Sequence, residues 1–389
     1  MSTEAYTQSG QKYRRRDANF ELLRVLAMAM VIVLHYLYHG GLLPSAGSPL
    51  TAGTVTGAFI ESFCIAAVNI WVLISGYFLS QTGVSLRRIL RLVAEVLFYT
   101  VAITGVMFMA GAGSGTYQGA YGLLEEYLFP ISAEHYWFAT AYVFMYLFAP
   151  LMNKGVLVLT RKQLKFTILG LLFWFSFIKS FVPVAFPTDD YGYGFGWFLT
   201  LYLIAAYMRK YDVRILNSGR GGLLVYAVSS ALIFALKLAV HMVNLRTGRL
   251  ASFYGTPFDY NYILCLTAAL GIFSAFRYLK LKEGWLAQAV RFVAPLTFGV
   301  YLLHEHREIR DRWLVWVQDF IGPIPRENVP LLVLHIIASV IIVFLAGIMI
   351  DFIRGTMFRW FIRVMRDTKP GRCLRKLDDS IHRENGGRG

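Results

Sequence analysis

Ten apolar windows, at roughly 19–38, 57–79, 89–109, 136–153, 164–184, 195–208, 222–241, 258–277, 292–305 and 331–353, divide this 389-residue chain. A helix that crosses a bilayer needs about 20 mostly apolar residues. Hydrophobic residues make up 57% of the chain and charged residues only 16%, whereas soluble domains carry about 25% charged residues. The pattern argues against a soluble domain. It predicts an all-α polytopic membrane protein of about ten transmembrane helices, with the sixth and ninth windows short for full crossings.

Charge between the windows sets the expected orientation. The net charge is +15, but the bases fall between apolar segments rather than on one domain, so nucleic acid is not the expected partner. Arg87, Arg88 and Arg91 lie in one alternate set of connections, with Lys154, Arg161, Lys162 and Lys165, then Arg209, Lys210, Arg214 and Arg220, then Arg277, Lys280, Lys282 and Arg291. Connections 39–56, 110–134 and 185–194 contain no Lys or Arg, and 306–330 mixes both signs. By the positive-inside rule both termini are cytoplasmic. The expected organisation is a cytoplasmic segment 1–18, a membrane domain 19–353 and a basic cytoplasmic tail 354–389, adsorbed on anionic membrane lipids or disordered. Tyr13 to Arg16 lead into a window too long for a cleaved signal, so the first window reads as a retained helix.

Arg24 and His35 stand inside the first window, NFELLRVLAMAMVIVLHYLYH. Ionisable groups are costly at that depth and are rarely kept without a task. Their separation of eleven residues corresponds to roughly 16 Å along a helix axis. Topology brings His39, His135, His304, Glu61 and Asp259 to the same end as His35. A neutral imidazole accepts a proton near physiological pH, and a neighbouring carboxylate orients it; Glu61 is the expected one. At the opposite end Arg24 faces Arg87, Arg88 and Arg91, a set suited to phosphate groups, which guanidinium binds bidentately. The segments TDDYGYGFGW (188–197) and ASFYGTPFDYNY (251–262) supply flat rings of the kind that stack on sugars.

No GxSxG elbow, Walker loop, HExxH or GxGxxG is present. His35 and His39 are four apart, but Tyr36 replaces the glutamate that HExxH needs, and no metal is expected. Cys64, Cys265 and Cys373 show no metal or disulfide spacing.

Five segments stand in order along the chain: the N-x-E-L-L-R opening with its histidine eleven residues after the arginine, then VNIWVLISGYFLS (68–80), SLRRILRL (85–92), HYWFATAYVFMYLFAP (135–150) and APLTFGVYLLHEH (294–306). Together they resemble the acyltransferase 3 family, the integral-membrane O-acyltransferases of bacterial surface glycans. The resemblance extends over residues 14–306. One departure is that Tyr142 and Val143 stand where many members carry two glutamates.

The resemblance implies a multi-pass enzyme of the bacterial cytoplasmic membrane, with His35 as essential base and Arg24 as its partner at the donor site. Acyl-CoA, acetyl-CoA in the first instance, would bring its phosphates to Arg24, Arg87, Arg88 and Arg91. The acceptor would be a hydroxyl of a cell-surface or lipid-linked polysaccharide, near His135, Trp137, Tyr142 and His304. Ser75 and Asn69 are candidate donors to the oxyanion. A covalent acyl group on His35 is an alternative route. A transporter of lipid-linked sugars without acyl chemistry is the rival reading, though the internal repeat common in transporters is not evident.

Overall fold

The computed structural model describes residues 5–6, 12–13, 16–81, 85–113, 127–131, 135–182, 188–213, 218–365, 368 and 372–373. Arg14, Arg15, Arg214 and most of the expected tail lie outside the described residues. Among the described residues, apart from a two-residue ladder between Ala5–Tyr6 and Lys12–Tyr13, the regular structure is helical. Among the described residues nine helical segments are long and apolar enough to cross a membrane. The chain is a multi-pass membrane protein.

Helix α1 (Ala18–His39) is the hub. It packs against α2 (Ala52–Cys64), α3 (Ala67–Leu79), α9 (Ile263–Tyr278), α10 (Trp285–Val293), α11 (Thr297–His304) and α13 (Val329–Met365). α2 and α3 form a single crossing with a turn at Ile65 and Ala66. α4 (Leu86–Met109) hides its polar groups internally, with Thr100 donating to Val96 O at 2.9 Å and Thr104 to Thr100 O at 2.8 Å. α5 (Trp137–Val158) and α6 (Arg161–Phe181) follow, the latter with a π-turn at Phe173–Phe177.

The sixth window becomes α7 (Phe195–Lys210), too short to stand among the nine. Trp197, Phe198, Leu201, Tyr202, Ala205 and Ala206 are buried, and α3 and α5 pack on it. Enclosed by protein, it does not need to match the lipid thickness. The close approach to α3 depends on Gly76, where a Cβ would lie 2.9 Å from Tyr202 Cα. α8 (Gly219–Thr247) pairs with α9 through Gly222 and Gly271, small residues that let two helices touch backbone to backbone.

Two windows differ from expectation. The ninth is a broken pair, α10 and α11, joined by a 3₁₀ turn at Ala294–Leu296. Pro295 supplies no N–H and cannot continue the α-helical ladder. The last continues to Met365 as a 37-residue helix, about 55 Å long and far beyond a ~30 Å hydrocarbon layer. Between them, short α12 (Trp313–Ile321) sets Trp313 against both His39 and His304, with ring centroids 6.4 Å from each.

Candidate active site

Three side chains meet where α1 crosses the end of α11. His35 Nδ1 lies 2.9 Å from His304 Nε2 and 3.1 Å from Glu305 Oε1. The tautomers follow from the third contact, His304 Nδ1 to Val300 O at 2.6 Å. A carbonyl only accepts, so His304 carries its proton on Nδ1 and its Nε2 is a lone pair. His35 therefore donates from Nδ1, and its own Nε2 is left as an acceptor. Glu305 Oε1 has no hydrogen-bond partner among the described residues and stands beside the ring, where burial pushes its carboxyl above the usual range. A proton gained at His35 Nε2 would find that carboxylate already in place. His39 pairs separately with Asp311 at 3.4 Å.

The three groups also offer metal-ligand atoms within 4.8 Å of one another. The contact at 2.9 Å is a hydrogen bond. Two nitrogens on a tetrahedral zinc would be roughly 3.3 Å apart, given bonds of 2.0–2.1 Å, and both would be unprotonated. The arrangement fits a base with its orienting partners better than a ligand set.

His35 opens on a small cavity of about 20 Å³, lined among others by Met28, Trp71, Trp137, Phe138, Tyr260 and Tyr301. That is room for about one water. Trp71 Nε1 is buried and has no hydrogen-bond partner among the described residues. It is thus an idle donor in the wall of the pocket that holds the idle acceptor of His35. The floor is a stripe of α1. Met28, Val31 and His35 line it, and with Arg24 they follow i, i+4, i+7 and i+11 spacing, which keeps the four within about 60° of one another around the helix. Tyr142, a turn below Phe138 on α5, donates to Ser75 Oγ at 3.2 Å. Arg24 and Arg88 both lie within electrostatic reach of that hydroxyl.

At the basic end Arg24 Nη1 binds Glu21 Oε1 at 2.6 Å, and Arg16 reaches Glu21 from 3.7 Å. Glu21 is 3% exposed, so its charge needs these partners. The arginine cluster is divided. Arg88 is exposed and within electrostatic reach of Tyr142, whereas Arg87 and Arg91 line a separate groove between α4 and α13.

Other expected residues fall elsewhere. Glu61 does not meet His35. It is buried within electrostatic reach of Lys237 on α8, and its Oε2 has no hydrogen-bond partner among the described residues. The carboxylate at His35 is Glu305 instead. His135 packs on His306, with ring centroids 4.6 Å apart, rather than on His35. Burial, then His306 and Arg310, hold His135 down to about 3, and burial holds His306 down to about 4, so both are neutral at physiological pH. Trp137 stacks on Tyr260 at 5.8 Å, with Tyr193 at 4.5 Å, which joins the two aromatic segments at the pocket wall.

Asn69 is committed to the scaffold. Its Nδ2 donates to Tyr260 O at 2.7 Å, and its Oδ1 accepts from Trp197 Nε1 at 2.9 Å. It is not free to serve an oxyanion. Asn69→Ala leaves buried Trp197 Nε1 and Tyr260 O unpaired, at about 1–3 kcal/mol each. A lowered melting temperature, with activity lost only in proportion to folded protein, is the expected result. Normal stability with lost turnover would return Asn69 to the chemistry.

Sequence reasoning missed Glu305 and Trp71. Glu305 directly follows His304 and opens a segment of mixed charge, where one acid among several carries no mark. Trp71 stood inside VNIWVLISGYFLS and was not singled out. The shared face of Arg24 and His35 was legible from their spacing.

A family model described as an acyltransferase domain matches residues 17–349 of the chain. No curated protein and no solved structure matches it.

Proposed function

This chain belongs to the acyltransferase 3 family of membrane acyltransferases, and we propose that it moves an acyl group from cytoplasmic acyl-CoA to a hydroxyl of a surface or lipid-linked polysaccharide. The observation that carries this reading is His35. Its Nδ1 is engaged by His304 and faced by Glu305, its Nε2 is free at the pocket, and Arg24 lies on the same helical face. His35 Nε2 takes the hydroxyl proton as the oxygen attacks the thioester carbonyl. Trp71 Nε1–H donates to the oxyanion of the tetrahedral intermediate. Collapse breaks the C–S bond, and the imidazolium returns the proton to the CoA thiolate. Glu305 stabilises the imidazolium between these steps. Arg24 and Arg88 hold donor phosphates. Trp137, Tyr193 and Tyr260 are the surface for the sugar ring.

A substrate-sized ligand does not fit a cavity of one water, so the pocket must open. The aromatic wall around Trp137 is the side on which the acceptor enters. The test is mass spectrometry of the surface glycan of a bacterial deletion strain and its parent. A missing acyl mass in the mutant names both group and acceptor. An unchanged glycan, together with purified protein that neither hydrolyses nor transfers acetyl-CoA, rejects the proposal.

The sidedness rests on the charge alternation. A cysteine at Lys162 should be labelled from the cytoplasm only, and one at Asp190 from outside. External labelling at position 162 would reverse the orientation and the direction of transfer.

A further inference from the structure

We infer that Tyr142 and Tyr146 on α5 bind the two amides of the acyl donor's pantetheine arm, an inference that rests on the acyl-CoA reading above. α5 packs mainly on α7 and α4, and side chains fill the space between it and α1. The pocket at His35 is the outer part of that space, with Met28, Val31 and His35 on one side and Phe138 on the other. α5 runs from the pocket toward the basic end, and Phe138, Tyr142 and Tyr146 follow one another along it at i, i+4 and i+8. The Tyr142 hydroxyl lies within electrostatic reach of both Arg24 and Tyr146.

The hydroxyls on this path have unused capacity. Tyr146 is 5% exposed, and its Oη has no hydrogen-bond partner among the described residues. Nearby Tyr202 gives the contrast, donating to Asn153 Oδ1 at 2.7 Å. Tyr142 donates to Ser75 Oγ at 3.2 Å, which leaves lone pairs on Tyr142 and, among the described residues, no acceptor for the proton of Ser75. An idle hydroxyl deep in a membrane domain is costly and marks a group that a ligand completes.

Pantetheine matches the spacing. Its arm runs from phosphate to sulfur over about thirteen bonds, roughly 16 Å when extended, and Arg24 and His35 are also roughly 16 Å apart along α1. Its two amide nitrogens are about four bonds apart, roughly 5 Å, close to the roughly 6 Å rise between Tyr142 and Tyr146. Each amide has an N–H and a C=O to satisfy once water is stripped from it. With the sulfur at His35, the nearer amide donates its N–H to Tyr142 Oη and accepts from Ser75 Oγ. Tyr146 meets the farther amide. This assigns Tyr142 to the acyl donor rather than to the acceptor.

Binding of CoA to the purified full chain, followed by calorimetry with pantetheine as competitor, tests these contacts. Turnover is compared between acetyl-pantetheine and S-acetyl-N-acetylcysteamine, which keeps only the amide nearer the sulfur. Tyr146→Phe removes one hydroxyl and keeps the ring. It should weaken CoA and pantetheine by the same factor, about fivefold to tenfold for one hydrogen bond, since the phosphate contacts are untouched. KM for acetyl-CoA should rise by that factor with little change in kcat, as for any uniform binding contact. The preference for acetyl-pantetheine over S-acetyl-N-acetylcysteamine should fall to the same extent, whereas Tyr142→Phe should weaken both thioesters together. The melting temperature of Tyr146→Phe should hold or rise, because the lost hydroxyl has no partner in the free protein. Unchanged CoA affinity in Tyr146→Phe overturns the inference. A weakened affinity with a lowered melting temperature also overturns it, by making the hydroxyl structural. A wild type that binds neither CoA nor pantetheine rejects the acyl-CoA reading itself, whereas a wild type that binds CoA but is matched by both phenylalanine variants rejects the amide contacts alone.

Discussion

His35→Ala should leave a folded, membrane-inserted protein that still binds acyl-CoA and no longer acylates. Exchanging an interior histidine for a small apolar residue lowers the cost of placing α1 in lipid, so insertion is not at risk. Loss of a general base costs about 10²–10⁴-fold in rate, and the drop should be in kcat. In the wild type the rate should fall at acid pH as the free Nε2 takes a proton from solvent. Glycan acylation, protein level and CoA binding need to be followed in parallel. Near-normal acylation by His35→Ala would remove the assignment and bring the transport reading forward.

Glu305 and the carboxylate expected from sequence, Glu61, can be ranked in the same assay. Glu305 lies 3.1 Å from His35 Nδ1, whereas Glu61 is placed with Lys237. Glu305→Gln keeps shape and removes the charge that meets the imidazolium, so it should slow turnover well beyond Glu61→Gln. An equal or greater loss in Glu61→Gln would mean that the acceptor side, and not the base, depends on a carboxylate.

The windows read from hydropathy correspond closely to the helices, because membrane insertion is decided by local apolar length and needs no knowledge of packing. The break at Pro295 follows from one residue's chemistry and was open to the same reasoning. Pairwise placement was not. His35 and His304 could be put at one end of the bundle by topology, but their contact depends on how the short helix after Pro295 docks on α1. Glu61 shows the limit most clearly. The rotation of α2 about its own axis turns it toward Lys237 on α8, and hydropathy is nearly blind to rotation in a helix apolar on all sides. Arg87 and Arg91 could be assigned a common face, but not which neighbour that face meets. Asn69 looked catalytic because a buried amide has no signature that separates structural from chemical use; only its filled hydrogen bonds do.

Arg24→Ala should abolish acyl-CoA use, but the substitution alone is ambiguous. Arg24 is also the close partner of buried Glu21. Removing one member of a buried pair costs about 3–5 kcal/mol because the other charge is stranded. A dead Arg24→Ala enzyme is therefore compatible with a damaged α1 and an intact donor site. The double variant Glu21→Gln with Arg24→Gln removes both charges and should recover insertion and thermal stability. If Arg24 holds a donor phosphate, the double variant stays inactive, with acyl-CoA binding lost. Arg24→Lys, which keeps the charge for Glu21 but not the bidentate fork, should be stable and only weakly active. Recovery of activity in the double variant would reduce Arg24 to a counter-ion for Glu21, and Arg88 would then be the first residue to test as the donor's phosphate ligand.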